Sequence, residues 1–179
     1  MLQIVVPAVN AWDESKQEFV NLEEQTLKLE HSLVSLSKWE QKWHKPFLTK
    51  QEKTLEETLD YIKCMTLTQN VKPETYLFLS DENFEQIKEY IDDPMTATTF
   101  SDDKKKSNHE IATSELIYYW MIALNIPQEY QKWHLNRLLT LIRVCNIKNT
   151  PAKKMSTNET ISYYNDINEA NKKLFNTTG

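Results

Sequence analysis

Cys145 and His134 are the pair of residue types that could form an activated nucleophile, since a reactive thiolate needs a base and positive charge beside it. Eleven residues separate them. Within one helix that is about 16 Å, too far for a proton to pass between them. The other histidines, His31, His44 and His109, do not recur at the i, i+4 spacing of a helical zinc site, and Cys64 and Cys145 lack CxxC pairing. No metal is expected, and both cysteines read as reduced, buried thiols rather than a disulfide. The carboxylate pairs Glu23/Glu24, Glu56/Glu57 and Asp92/Asp93 are adjacent in sequence, so their side chains diverge and suit solvated surface or helix N-termini better than acid-base catalysis.

The only glycine is Gly179. A phosphate-cradling loop, a dinucleotide fingerprint and a glycine-flanked serine elbow all need glycines where the backbone bends sharply or approaches a ligand closely. None of them can be built from this chain, so neither a cofactor nor an enzymatic activity is expected.

Charge is unevenly distributed. Residues 1–130 hold 13 Lys/Arg against 23 Asp/Glu, net −10, and residues 131–179 hold 8 against 3, net +5. Lys132, Arg137, Arg143, Lys148, Lys153 and Lys154 lie in a stretch free of acids from Glu129 to Glu159, with Trp133 and His134 among them. Phosphate neutralisation with base stacking is one use for such a stretch. The overall charge of −5 favours intramolecular or protein contacts instead. Trp39 and Trp43 beside His44, and Trp133 beside His134, set large amphipathic rings next to polar groups, as interfaces do, although an apolar helical stripe buries tryptophans as well. The candidate partner contacts are therefore Trp39, Trp43, Trp133, His134, Arg137, Arg143, Lys148, Lys153 and Lys154.

The elements that must carry these residues follow from periodicity. Leu2 to Val6, Phe19 to Leu22 and the alternating Thr26 to Glu30 predict a small antiparallel sheet over residues 1–30. From Ser32 the period changes, and Leu33, Leu36, Trp39 and Trp43 share one helical face as far as Pro46. Thr54 with Glu57 forms a capping box for a helix with Leu55, Leu59, Ile62 and Met65 on one face. After the short apolar run Tyr76 to Leu79, Ser80 caps a helix facing inward through Phe84, Ile87 and Ile91 and stopped by Pro94. Residues 101–110 predict an exposed loop.

Leu116, Ile117, Trp120, Met121 and Leu124 predict a very apolar helix, and Pro127 is placed to open the next, about residues 127–144, with the two packed as a hairpin. Ser156 with Glu159 caps a last, polar helix bearing Ile161, Tyr164 and Leu174. The expected fold is α+β and mainly helical, a single domain of three parts: a sheet element at 1–30, a helical core at 31–150 with the last helix completing about six, and a C-terminal helix and tail at 151–179. No apolar run approaches the ~20 residues of a membrane span. The N-terminus lacks a basic region before its apolar stretch, so the chain is expected in the cytoplasm that made it.

Three segments, HSLVSLSKWEQKWHKPFL at 31–48, LDYIKCMTL at 59–67 and ELIYYWMIALNIPQEYQKWHLNRLLTLIRVCNIKN at 115–149, resemble a family of small proteins encoded by tailed bacteriophages and prophages. The similarity extends through the MTAT segment and Phe100 at 95–100, PAKKMS at 151–156 and the closing NEANKKLFNTTG. The chain departs from the family at Tyr130, where relatives carry cysteine, and in a tail richer in Asn than in Arg, departures that weaken any claim of a reactive cysteine or an RNA-binding tail. Members are encoded near the major tail and tape-measure proteins. The resemblance therefore implies a tail-assembly chaperone or a structural component of tail, neck or baseplate, with tape-measure protein, tail-tube protein or further copies of itself as partners. It places the chain in the bacterial host cytoplasm, or in the virion if it is structural.

Overall fold

Ser32, Thr54, Ser80 and Thr113 each stand just before a helix with their hydroxyls accepting a backbone N–H three residues on. The first four helices of the computed structural model therefore begin where short polar side chains satisfy free donors. The structure describes residues 1–13, 18–100 and 111–150, with residues 161, 164, 165 and 167–169 further on. Residues 11–13 and 18–20 are described by their backbone alone. The expected loop at 101–110, the Ser156/Glu159 cap and Leu174 lie outside the described residues.

The N-terminal sheet is a long two-stranded ribbon. Strand β1 (Leu2–Val6) pairs antiparallel with β4 (Gln25–Leu29), and β2 (Val9–Asp13) with β3 (Glu18–Leu22). Both ladders share one register, with Val6 opposite Gln25 and Val9 opposite Leu22. Pairing lapses at Pro7 and Ala8, where proline has no N–H to donate. Alternation along β1 and β4 turns Ile4, Val6, Leu27 and Leu29 inward. The other edge of β4 is covered by the chain leaving the second helix, through Glu30 N to Met65 O (2.9 Å) and Leu67 N to Lys28 O (2.7 Å).

Among the described residues up to 150, five helices follow: α1 (Leu33–Trp43), α2 (Leu55–Met65), α3 (Asp81–Asp92), α4 (Ser114–Ala123) and α5 (Leu135–Asn149). Short 3-10 turns at Pro73–Phe78 and Gln128–Lys132 precede α3 and α5. Helix α1 is shared between two apolar clusters. Its Trp39 side joins β1, β4, α2 and α3, while Leu33 and Leu36 join Ile117 and Met121 of α4 and Leu135, Leu138 and Ile142 of α5. The chain divides into two compact units, residues 1–146 and 147–179. In the second, Ile161, Tyr164 and Ile167 are helical and exposed.

Three expectations change. Leu55 is 68% exposed, because it is the first helical residue and lies beyond the core that buries Ile62 and Met65. The helix expected from Pro127 to Val144 is instead a 3-10 turn, an extended break at Trp133 and His134, and then α5. Tertiary bonds replace the missing helical ones at the break: Leu135 N donates to His31 O (2.7 Å), and His134 pairs with Ser32 as an isolated bridge. Finally, Cys64 and Cys145, expected to be buried, are only half-buried. Left-handed turns form without glycine. His44, Asn70, Met95 and Asn125 take φ of 49–58°, asparagine being the tolerated substitute at two of the four.

Glu40 ties the end of α1 to the start of α4. Its buried carboxylate accepts Phe47 N at Oε1 (2.8 Å) and Ser114 N at Oε2 (2.7 Å), satisfying a first-turn donor of α4 that has no partner within its own helix. Glu40→Gln turns an amide NH2 towards one of these N–H groups. It is expected to cost about 1–3 kcal/mol, read as a lower urea midpoint with faster amide exchange at Phe47 or Ser114; an unchanged midpoint would show that the two bonds add nothing.

Candidate partner-binding surface

Local sequence explains why α1 ends in aromatics: Trp39 and Trp43 are one turn apart and stack at 6.1 Å. Their environments differ sharply. Trp39 is 1% exposed and donates its indole N–H to Glu57 O (2.9 Å), so it is core and offers nothing to a partner. Trp43 is half-buried and donates to Asp60 Oδ2 (2.9 Å). The Lys42 and Lys45 ammonium groups lie 5.7 and 5.9 Å from its ring centre. Those lysines are also paired, Lys42 with Asp60 Oδ1 (2.5 Å) and Lys45 with Glu57 Oε1 (2.6 Å). The Lys45 ammonium, helped by Thr54 N–H, holds the Glu57 carboxyl below the usual range, and the bond to Asp60 raises Lys42.

His134 is also inside. Its Nε2 lies 2.9 Å from Tyr90 O, and a carbonyl only accepts, so Nε2 carries the proton. Nδ1 is left as a buried nitrogen with no hydrogen-bond partner among the described residues. The ring packs edge-on against His31 at 5.1 Å and Tyr90 at 4.9 Å. His31 in turn sits 2.5 Å, Nδ1 to Oη, from the Tyr61 hydroxyl. Burial, reinforced by His134, lowers His31 to about 3, and burial holds Tyr61 well above the usual phenol range. Both groups are therefore neutral at physiological pH. They form a buried polar joint between the β4–α1 corner, α2 and the start of α5.

Trp133 keeps some surface, but its faces are occupied. The Tyr130 ring lies 4.0 Å away at 16° and the Arg137 guanidinium 4.1 Å away. Two groups that close cannot share a face, so they take opposite sides. A nucleobase stacking on Trp133 would have to displace one of them. Arg143 lies over Phe100 at 3.8 Å. Arg137, Arg143 and Lys148 are exposed on α5, and Lys153 and Lys154 lie outside the described residues. The expected contacts thus separate into two buried residues, Trp39 and His134, and a scattered set of surface ones.

Helix α4 supplies what that set lacks. Its buried face is Ile117 and Met121, yet its outer face also carries large apolar groups, Tyr119 (63% exposed) and Ile122 (76%), and Glu115 is the only charge in its ten residues. A surface helix ordinarily turns charge outward. Tyr119 and Ile122 were readable from the sequence, because the run from Leu116 to Ala123 is apolar on every face; Phe47, Glu40 and Lys53 carry no such local signal.

Among the described residues no group of three or more His, Cys, Asp or Glu could hold a metal ion, and no helix is long and apolar enough to cross a membrane. Cys64 and Cys145 are free thiols, each half-buried rather than fully enclosed, and burial raises the Cys64 thiol. No protein-family model, curated protein or solved structure matches the chain.

Proposed function

We propose that this chain is a non-enzymatic assembly factor of a tailed bacteriophage, which holds apolar helical segments of the tape-measure or tail-tube protein in the host cytoplasm until the tail is built. The outward apolar face of α4 carries this reading. Tyr119 and Ile122 lie one helical turn apart, both mostly exposed, on a helix held at its start by Glu40. An amphipathic partner helix recognises such a strip through apolar anchors at helical spacing. The resemblance of residues 31–48, 59–67 and 115–149 to small phage proteins encoded beside tail genes supplies the biological setting. Exposed Arg137 and Arg143 provide cations for acidic residues flanking the partner's apolar stripe.

The test is an affinity pull-down of the tagged chain from infected cells, with mass spectrometry of purified virions. Tape-measure or tail-tube protein should be retained by the bait, and the chain should be absent from virions. The double variant Tyr119→Asp, Ile122→Asp is expected to lower capture at least tenfold with no loss of thermal stability, because both side chains are already in water. Abundant copies in the virion would overturn the transient role in favour of a tail, neck or baseplate component. Undiminished capture by the double variant would remove α4 as the contact.

A further inference from the structure

An apolar cleft of about 300 Å³ is lined by residues of α2 and α3. Phe47, from the loop after α1, stacks on Tyr61 at 3.9 Å. Ile62 of α2 and Phe84, Ile87 and Ile91 of α3 complete a lining that is almost wholly carbon. A dry apolar cavity of about 150 Å³ accommodates one benzene ring, so this cleft has room for a short aliphatic chain or a substituted single ring. It is at the small end of ligand pockets.

Two cations stand at this lining. Lys88 is exposed on α3. Lys53 is half-buried, with its ammonium 4.3 Å above the Phe47 ring. The neighbouring Glu57 carboxylate is already engaged by Lys45 and by Thr54 N–H. Among the described residues, neither Lys53 nor Lys88 has a carboxylate within ion-pair distance. Burial lowers Lys53, and the Glu57 carboxylate, shared with Lys45, offsets this only in part. An anion at the cleft mouth would complete that compensation, while its tail covered the carbon floor.

We infer that this cleft binds a small amphipathic monocarboxylate, with the apolar tail between Phe84, Ile87 and Phe47 and the carboxylate between Lys53 and Lys88. The lining hydroxyls of Thr58 and Tyr61 are already engaged, by Thr54 O and by His31, so the floor gives little purchase to a sugar or nucleotide. Two ammonium groups at the mouth select an acid over an alcohol of the same length.

The experiment titrates the full chain with sodium octanoate, and separately with 1-octanol, and follows the isoleucine methyl signals by NMR. Saturable shifts are expected at Ile62, Ile87 and Ile91 and not at Ile122, with octanoate binding at least tenfold more tightly than octanol. Lys53→Met should weaken that preference, and Lys53→Met combined with Lys88→Met should abolish it, while the methyls still respond to both probes. Ile87→Trp should fill the cleft and block both. Three results would overturn the inference: no saturable shift at these methyls, equal affinity for acid and alcohol in the unmutated chain, or an acid preference undiminished when both Lys53 and Lys88 are methionine. None depends on the phage-assembly reading, which the virion and pull-down measurements judge separately.

Discussion

Trp39→Ala is expected to lower the free energy of unfolding by about 3–5 kcal/mol, a large part of the 5–15 kcal/mol typical of a domain. The ring is 1% exposed, stacks on Trp43, meets Phe47 edge-on at 5.0 Å and donates its N–H to Glu57 O at 2.9 Å. Truncation leaves a cavity between α1 and α2 and removes the indole hydrogen bond that joins them. Trp43→Ala should cost less, since that ring is half-buried and partly wetted. Urea unfolding of both variants checks the order. A Trp39→Ala protein as stable as the unmutated chain would refute the assignment of this residue to the core, and with it the reason for excluding it from the partner surface. Loss of partner capture in Trp39→Ala is accordingly expected only where the protein has unfolded.

The second large effect is with pH. His31 is lowered to about 3 in the folded chain by burial and by His134, whereas in the unfolded chain it titrates near 6.5. Between those values the unfolded state binds a proton that the folded state refuses, so stability falls as the solution is acidified. The contribution is fully present above about pH 6.5 and is lost at up to about 1.4 kcal/mol per pH unit down to about pH 3. By pH 4 the loss from this one side chain is about 3 kcal/mol. His31→Gln can still accept from the Tyr61 hydroxyl but does not titrate. It should be less stable than the unmutated protein at pH 7, with the difference narrowing or reversing at pH 4. Parallel pH dependences in the two proteins, measured by urea unfolding, would show that His31 charges in the fold as readily as in water.

Much of the architecture was legible locally. Thr54 and Glu57 form the reciprocal bonds expected of a capping box, because both partners lie within four residues and need nothing from the rest of the chain. The alternation of Leu27 and Leu29 placed β4, and the spacing of Leu33, Leu36 and Trp39 placed α1. Sequence could also count the cysteines and note the missing glycines, but not where the chain would turn through a left-handed residue, as at Asn70 and Asn125. The candidate contacts were legible only as residue types. Periodicity puts Trp39 on a stripe but does not say whether another element covers it, and α2 does.

The remainder arises from groups far apart in sequence. The break at Trp133 and His134 contradicts the helical pattern around it, and it exists because His31, about a hundred residues earlier, offers a carbonyl to Leu135 N. Glu40 reads as a surface acid of α1 until Ser114 N is brought to it across 74 positions. The cleft beside Lys53 requires α3, packed on β1, to bring Phe84, Ile87 and Ile91 opposite Ile62 of α2, and no local propensity sets that packing. Local patterning was sufficient for where elements start, stop and turn their apolar faces, since those choices are governed by hydrogen bonds and sterics within a few residues. Which polar groups end up buried together, which tryptophan is core and which apolar face stays in water were decided by packing, because each depends on what a distant segment places opposite.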